Sequence, residues 1–206
     1  KKVEVIHPQR GDKARLIEMA QKNAENVYLM SRNHDDDFTR TLNALKETLS
    51  LRQTPERIEC FDISNIFGKQ AVGSMVTFTQ GKPDKSRYKR FRIKTVGQID
   101  DYAMMHEVLT RRYKRAVEEG DLPKLIMVDG GKGQLGIALK VFDELAIGNV
   151  DLIALAKGSK ESNRVGEKIG EQIFVPHMPD AVMPTPSSPE LLFLDKVRDE
   201  AHRFAI

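Results

Sequence analysis

Apolar residues fall into three patterns along the 206-residue chain, and each pattern predicts a different element. Apolar runs occur at Leu125–Val128, leading into Asp129, and again, interrupted only by Asp151, over Val150–Ala156. Runs of this kind suit short strands covered on both faces. Alternation marks Arg57–Ser64, RIECFDIS, which sends Ile58, Cys60 and Asp62 one way and Glu59, Phe61 and Ile63 the other. Two further strands are predicted at Gln70–Thr79 and Arg87–Lys94, joined by the turn GKPDK, so that three strands form an antiparallel meander. A helical period fits Asp101–Glu119, with Met105, Val108, Leu109, Ala116 and Val117 as the apolar stripe and Arg111, Arg112, Lys114 and Arg115 on the outer side. Asp100 or Asp101 caps this helix, and Gly120 and Pro123 stop it. Further helices are predicted from Gln134 to about Leu145 and from Pro189 to the end, the last with Ser188 as N-cap and Leu194, Val197, Ala201 and Phe204 inward.

Residues 1–52 read as a separate helical block ahead of 53–206. Leu16, Met19 or Ala20, Asn23 and Val27 share a face of one helix, and Leu42, Leu45 and Leu49 belong to a second beginning at Asp37. Between them, His34 with Asp35, Asp36 and Asp37 is expected to be a solvated turn whose acidic residues favour the following helix start. The block is expected to pack on the second as a support. Towards the end, GEKIGEQIFVPH reads as a small hairpin turning near Gly170, followed by a Pro-rich connection in which His177 is structural.

Composition narrows the class without assigning a function. No apolar run approaches the length of a bilayer span, and no signal peptide opens the chain. The opening KKVEVIHPQRG looks cut from something longer. Cys60 is the only cysteine, which excludes an internal disulfide and multi-cysteine zinc sites. A soluble cytoplasmic protein is the expectation. The net charge of +3 is small, so the distribution of charge matters more than its sum. The third strand interleaves Arg87, Lys89, Arg90, Arg92 and Lys94 with Tyr88 and Phe91. That pattern suits a strand tracking a phosphate backbone, and equally the charged protection of a sheet edge.

The candidate chemistry centres on KLIMVDGGKGQ, Lys124 to Gln134. Asp129 ends a central strand, where α/β sheets collect their ligands, and Gly130 and Gly131 let the backbone turn sharply there. Lys132 and the free N–H groups of the next helix suit a phosphate. The same residues also make a plain capped turn. A nucleotide P-loop fits poorly, because the earlier glycine and the Ser/Thr after the lysine are missing. Asp62 lies in line with Ile58 and Cys60, and a carboxylate buried there needs a cation or hydrogen bonds to compensate it. His202 flanks the stripe of the last helix.

Three antiparallel strands, a helix, a strand, a helix, a strand, an insertion and a last helix follow the order of the ribonuclease H-like fold, a mixed five-stranded sheet flanked by helices. In that fold the first strand lies beside the fourth, so Asp62 and Asp129 become neighbours and repel unless a hard cation such as Mg²⁺ or Mn²⁺ lies between them. ECFDIS, the basic strand, DDYAMMHEVLTRRY, DGGKGQL and DEAHRFAI together resemble the C-terminal endonuclease domain of the UvrC family, the excinuclease subunit of bacterial nucleotide excision repair. The resemblance runs from HPQRGDKARL to the last residue. It implies a metal-dependent endonuclease that cuts DNA 5′ to a lesion, with Asp62, Asp129 and His202 as catalytic and metal-binding residues and Asp101 as a further position tied to the incision. Lys132, Gln134, Arg90 and Arg92 are the expected DNA contacts. The family's GIY-YIG nuclease, its UvrB-binding hairpin and its helix-hairpin-helix pair do not occur in these residues, so the chain is expected to be a fragment that meets UvrB through parts it lacks. Two other readings stay open: a module of this fold that only binds nucleic acid or a partner, and an RNA–DNA hybrid ribonuclease using Glu107.

Overall fold

The computed structural model describes residues 8, 11–66, 70–93, 100–158 and 170–205. It contains two compact units, Lys1–Arg40 and Thr41–Ile206. One helix, α1 (Asp12–Thr48), replaces the two helices expected in the first block. Neither glycine nor proline occurs between those ends, so nothing in the acidic stretch forces the break that its polarity suggested. Leu16 and Met19, expected on a buried face, are exposed. Leu42, Leu45 and Leu49 are buried as expected. Within the second unit, the segment after α1 is tied to the stretch around Asn149–Asp151 by Arg52 N–H donating to Asp151 (2.9 Å) and by the Gln53 amide donating to the Asn149 carbonyl (3.2 Å).

The core is a mixed sheet built on β1 (Arg57–Ile66), β2 (Gln70–Thr79), β5 (Leu125–Asp129) and β6 (Asp151–Ala156). β1 pairs antiparallel with β2 and parallel with β5, and β5 pairs parallel with β6. The first strand therefore does lie beside the strand that ends in Asp129. Among the described residues the sheet has seven strands where five were expected. The third strand, expected over Arg87–Lys94, is broken at its start: Arg87 ends a 3₁₀ turn (Lys85–Arg87) and the described strand is β4 (Lys89–Arg92), while the expected GKPDK turn supplies a further short strand, β3 (Lys82–Pro83), both pairing with β2. Arg87 explains the break: its guanidinium turns away to bind Asp121 at 3.0 Å. The seventh strand, β7 (Gln172–Phe174), is the described arm of the expected hairpin. It adds antiparallel to β6, which would otherwise be a bare edge.

Helices α2 (Asp101–Glu119) and α3 (Lys132–Glu144) cover one face of the sheet, and α4 (Pro189–Ala205) covers β1 and β2 on the other. On the α2 side, Phe61, Met75, Val108, Leu109, Tyr113, Ile126 and Val128 form the main core. Gly73 permits the approach of α2, since a Cβ there would stand 2.6 Å from Val108 Cγ2. Helix α2 is rotated from the expected face: Val117 is exposed, whereas Arg112 is buried. Glu59, buried on β1, is the cause. Arg112 donates to both of its oxygens (3.1 and 2.7 Å), and the Tyr113 hydroxyl donates at 2.8 Å. An unpaired carboxylate there would cost several kcal/mol, about 3–5 once the partner is gone, so the pair dictates the helix face.

Candidate active site

Strand alternation sets the first ligand. With Glu59 and Phe61 committed to the α2 side, Asp62 must project beneath α4, where it is almost fully buried. Val128 is paired with Phe61 across β1 and β5, so Asp129 comes level with Asp62 on the neighbouring strand. The backbone then breaks away. Gly130 has φ +136 and donates its N–H to the Leu155 carbonyl at 3.0 Å, a conformation that suits glycine. The Gly131 N–H is received by the Gln134 side chain at 3.0 Å as α3 begins.

The third side chain arrives from the far end of the sequence. Ser74, opposite Asp62 on β2, donates its hydroxyl to the Ala201 carbonyl at 3.2 Å, holding the last turn of α4 on the sheet. The next residue, His202, lies between the two carboxylates. Its Nδ1 is 3.4 Å from Asp62 and its Nε2 is 3.5 Å from Asp129. One ligand atom from each of the three lies within 4.8 Å of the others. Burial raises the pKa of Asp129 above the ordinary carboxylate range; His202 opposes the rise, Asp62 adds to it, and Arg198 and Lys157 oppose it. Beneath them, burial pushes the Cys60 thiol well up, and both carboxylates add to that. The donor set tests well for a hard divalent cation: two carboxylates on one face repel each other, the imidazole adds a nitrogen, and one side of the group is open to solvent.

Comparison with known proteins decides the family. The family described as the UvrC RNAse H endonuclease domain matches residues 46–206, and the UvrC ribonuclease H-like domain matches residues 1–29. The chain belongs to the UvrC endonuclease-domain family. It is 50% identical over 205 residues to the UvrABC system protein C of Protochlamydia amoebophila, and 46% identical over 209 residues to that of Geobacter metallireducens. All of this chain is covered in both alignments, against 33% and 34% of those proteins, so it spans about a third of their length. Among solved structures, human ENDOV aligns with 83% of this chain and 99% of its own at 11% identity and TM-score 0.41. The Endonuclease V of Streptomyces avermitilis aligns at 13% identity and the same TM-score of 0.41, over 83% of this chain and 94% of its own. As a UvrC endonuclease domain, the chain has a mixed sheet flanked by helices with an Asp–Asp–His cluster at its centre.

The remaining expected residues of this UvrC-family site are dispersed around that cluster. Asp101 opens α2, is exposed and lies outside the group of three; the cap is Asp100, which accepts from the N–H groups of Tyr102 and Ala103. Lys132 donates to the Pro179 carbonyl at 3.0 Å, and Gln134 is the α3 cap already described. Arg90 donates to the Phe204 carbonyl at the end of α4 (2.7 Å) and stacks over the Phe204 ring. Arg92 is exposed on β4. Glu107 binds Arg111 at 3.0 Å and is not in the cluster.

Three contributors were not foreseen in the sequence. Ser74 positions α4. Arg198, buried one turn before His202, donates to both oxygens of Glu171 (2.9 and 3.1 Å) and pairs with Asp195 at 2.9 Å, which anchors α4 beside β7. Tyr102 lies over Gly133, where a Cβ would stand 2.4 Å from its hydroxyl. The four-residue spacing from Arg198 to His202 was the available signal for the second; the other two carry none that a single sequence exposes.

Proposed function

We propose that this chain is the part of a bacterial excision-repair protein that makes the incision 5′ to a lesion in double-stranded DNA, using Mg²⁺ or Mn²⁺ held by Asp62, Asp129 and His202. The observation that carries this reading is the meeting of those three side chains, from residues 62, 129 and 202, at the middle of one sheet face. A divalent cation bound there supplies charge to polarise the scissile phosphate and acidify a water. The chain's own residues do the rest. Asp62 and Asp129 present negative oxygens from rigid strands, so little order is lost when the site fills. His202, reached by both carboxylates, has one ring nitrogen for the cation while the other is oriented by a carboxylate, and an imidazole so placed can serve as general acid or base. Lys132, Gln134, Arg90 and Arg92 contact phosphates, which position DNA without reading its sequence, as an enzyme that cuts beside any lesion requires. Lys132 and Arg90 donate to the backbone carbonyls of Pro179 and Phe204, and a phosphate competes well for such cations. Asp101 belongs to the incision machinery at the start of α2. In the cell the domain works in the cytoplasm with UvrB, met through parts of the longer protein.

The test is nicking of supercoiled plasmid in Mn²⁺ or Mg²⁺ by the parent, Asp62→Ala and Asp129→Ala. Loss of at least about 100-fold in rate is expected for each variant. Nicking by either at the parent rate, or nicking that survives chelation of the metal, overturns the proposal.

A further inference from the structure

Lys157 follows the last residue of β6, and extending the β5–β6 register by two residues from the Asp129–Leu155 pair brings it towards the cluster. Asp129 on β5 is paired with Leu155 on β6, and the Gly130 N–H bonds the Leu155 carbonyl at 3.0 Å. Paired residues on parallel strands project from the same face, and alternation returns Lys157, two residues on, to that face. This is the face that α4 covers, and Lys157 stands one step beyond the carboxyl ends of the strands. With a rise of about 3.3 Å per residue and about 4.8 Å between strands, its backbone is roughly 8 Å from that of Asp129, within the span of a lysine side chain.

The electrostatics agree with that placement. The positive charge of Lys157 lowers the pKa of Asp129 and also that of Asp195 on α4. Two permanent cations act on Asp129 in this way, Arg198 and Lys157. Arg198 is buried and spent on Glu171 and Asp195. Lys157 is exposed and has no hydrogen bond or ion pair among the described residues. Lys132, Arg90 and Arg203 are each held by a carbonyl or a carboxylate. An exposed lysine is ordinary on a protein surface. One that has no hydrogen bond or ion pair among the described residues, at the open side of two converging carboxylates, is available to an anionic ligand.

We propose that Lys157 is a further catalytic residue, whose ammonium engages a non-bridging oxygen of the phosphate being cut and offsets the charge that builds there during phosphoryl transfer. The proposal rests on the nuclease reading above. Such a transfer is accelerated mainly by positioning and charge neutralisation, and a cluster with only two carboxylates leaves room for a fixed cation from the protein. The ammonium makes no covalent bond and transfers no proton; water attacks phosphorus and gives a proton to solvent, and the P–O bond to the sugar breaks as the departing oxygen takes a proton from solvent.

The experiment compares the parent, Lys157→Ala, Lys157→Arg and Asp129→Ala in single-turnover plasmid nicking with Mn²⁺, alongside plasmid affinity and Mn²⁺ affinity by calorimetry. Lys157→Ala should nick about 100-fold more slowly, with plasmid affinity within threefold and Mn²⁺ binding no weaker than in the parent. Lys157→Arg should recover at least a tenth of the parent rate. A Lys157→Ala variant that nicks within threefold of the parent overturns the proposal, and so does one that loses Mn²⁺ binding along with the rate. Asp129→Ala separates the two failures: if it nicks normally, the metal-site reading falls; if it is inert while Lys157→Ala is active, only the lysine role falls. A second measurement needs no turnover. Acetylation of Lys157 should slow at least fivefold when a saturating short duplex and Ca²⁺ are present, and unchanged reactivity overturns the proposal.

Discussion

At the scale of single residues, β1 carries two buried carboxylates that answer to opposite demands. Glu59 is fully satisfied by Arg112 and Tyr113 and locks α2 to the sheet. Asp62, three residues later on the opposite face, meets a second carboxylate and a histidine instead. The first arrangement is structural, and its value appears when half of it is removed. Glu59→Ala should cost about 3–5 kcal/mol, because Arg112 stays buried and already has one guanidinium nitrogen without a partner. Urea unfolding of the two proteins measures this, and a loss under about 1 kcal/mol would show that the pair does not set the packing of α2. Asp62 was legible as an oddity in an alternating strand, in line with Ile58 and Cys60. The role of Glu59 was not, because alternation separates the faces without saying what each face meets.

At the scale of elements, Asp121 joins the end of α2 to two other parts of the fold. It accepts from Arg57 at the start of β1 (2.7 Å), from Arg87 in the turn before β4 (3.0 Å) and from Arg112 on α2 (3.2 Å). Burial would raise its pKa, but the Arg57 hydrogen bond and the charges of Arg57, Arg87 and Arg112 outweigh burial and hold it below the ordinary 3.8. The folded chain therefore binds this proton less readily than the unfolded chain. The stabilisation is complete above the ordinary value and is lost as the pH falls through the depressed one. Asp121→Asn should cost about 2 kcal/mol at pH 7, and the gap from the parent should close as the pH drops below about 3.8. Denaturant midpoints at pH 7, 5 and 3 test this; a constant gap would mean that the cost comes from shape and not from charge. The same element contacts explain the late start of the third strand, since Arg87, expected at its head, is held by Asp121 in the 3₁₀ turn before β4.

At the scale of the whole molecule, the fold holds two carboxylates in mutual repulsion, and Asp129 titrates above its usual range as a result of burial and that repulsion. A divalent cation that binds only the folded chain must then stabilise it. Mn²⁺ at about 100 times its dissociation constant should add about 2.7 kcal/mol, which is roughly 5–10 °C in melting temperature for a domain of this size. Asp129→Asn should abolish the shift while melting no lower than the parent in chelator. Differential scanning calorimetry decides, and a full Mn²⁺ shift in Asp129→Asn would place the ion elsewhere.

The strands, their order and the three helices of the core were determined by local pattern, because period and turn chemistry depend on neighbours in the chain. β5, with Asp129 at its carboxyl end, and α2 are found with the expected bounds, and Asp62, Asp129 and His202 were each singled out in advance. Tertiary structure decided everything that needed a partner: that α1 continues where a turn was expected, that Arg112 turns inward, that β7 closes the edge of β6, and that Ser74 and Arg198 seat α4 so that His202 reaches two strands. Burial and electrostatic pairing act between residues far apart in sequence, so no local pattern records them. The cluster is a property of the folded sheet, in which three separate signals become one site.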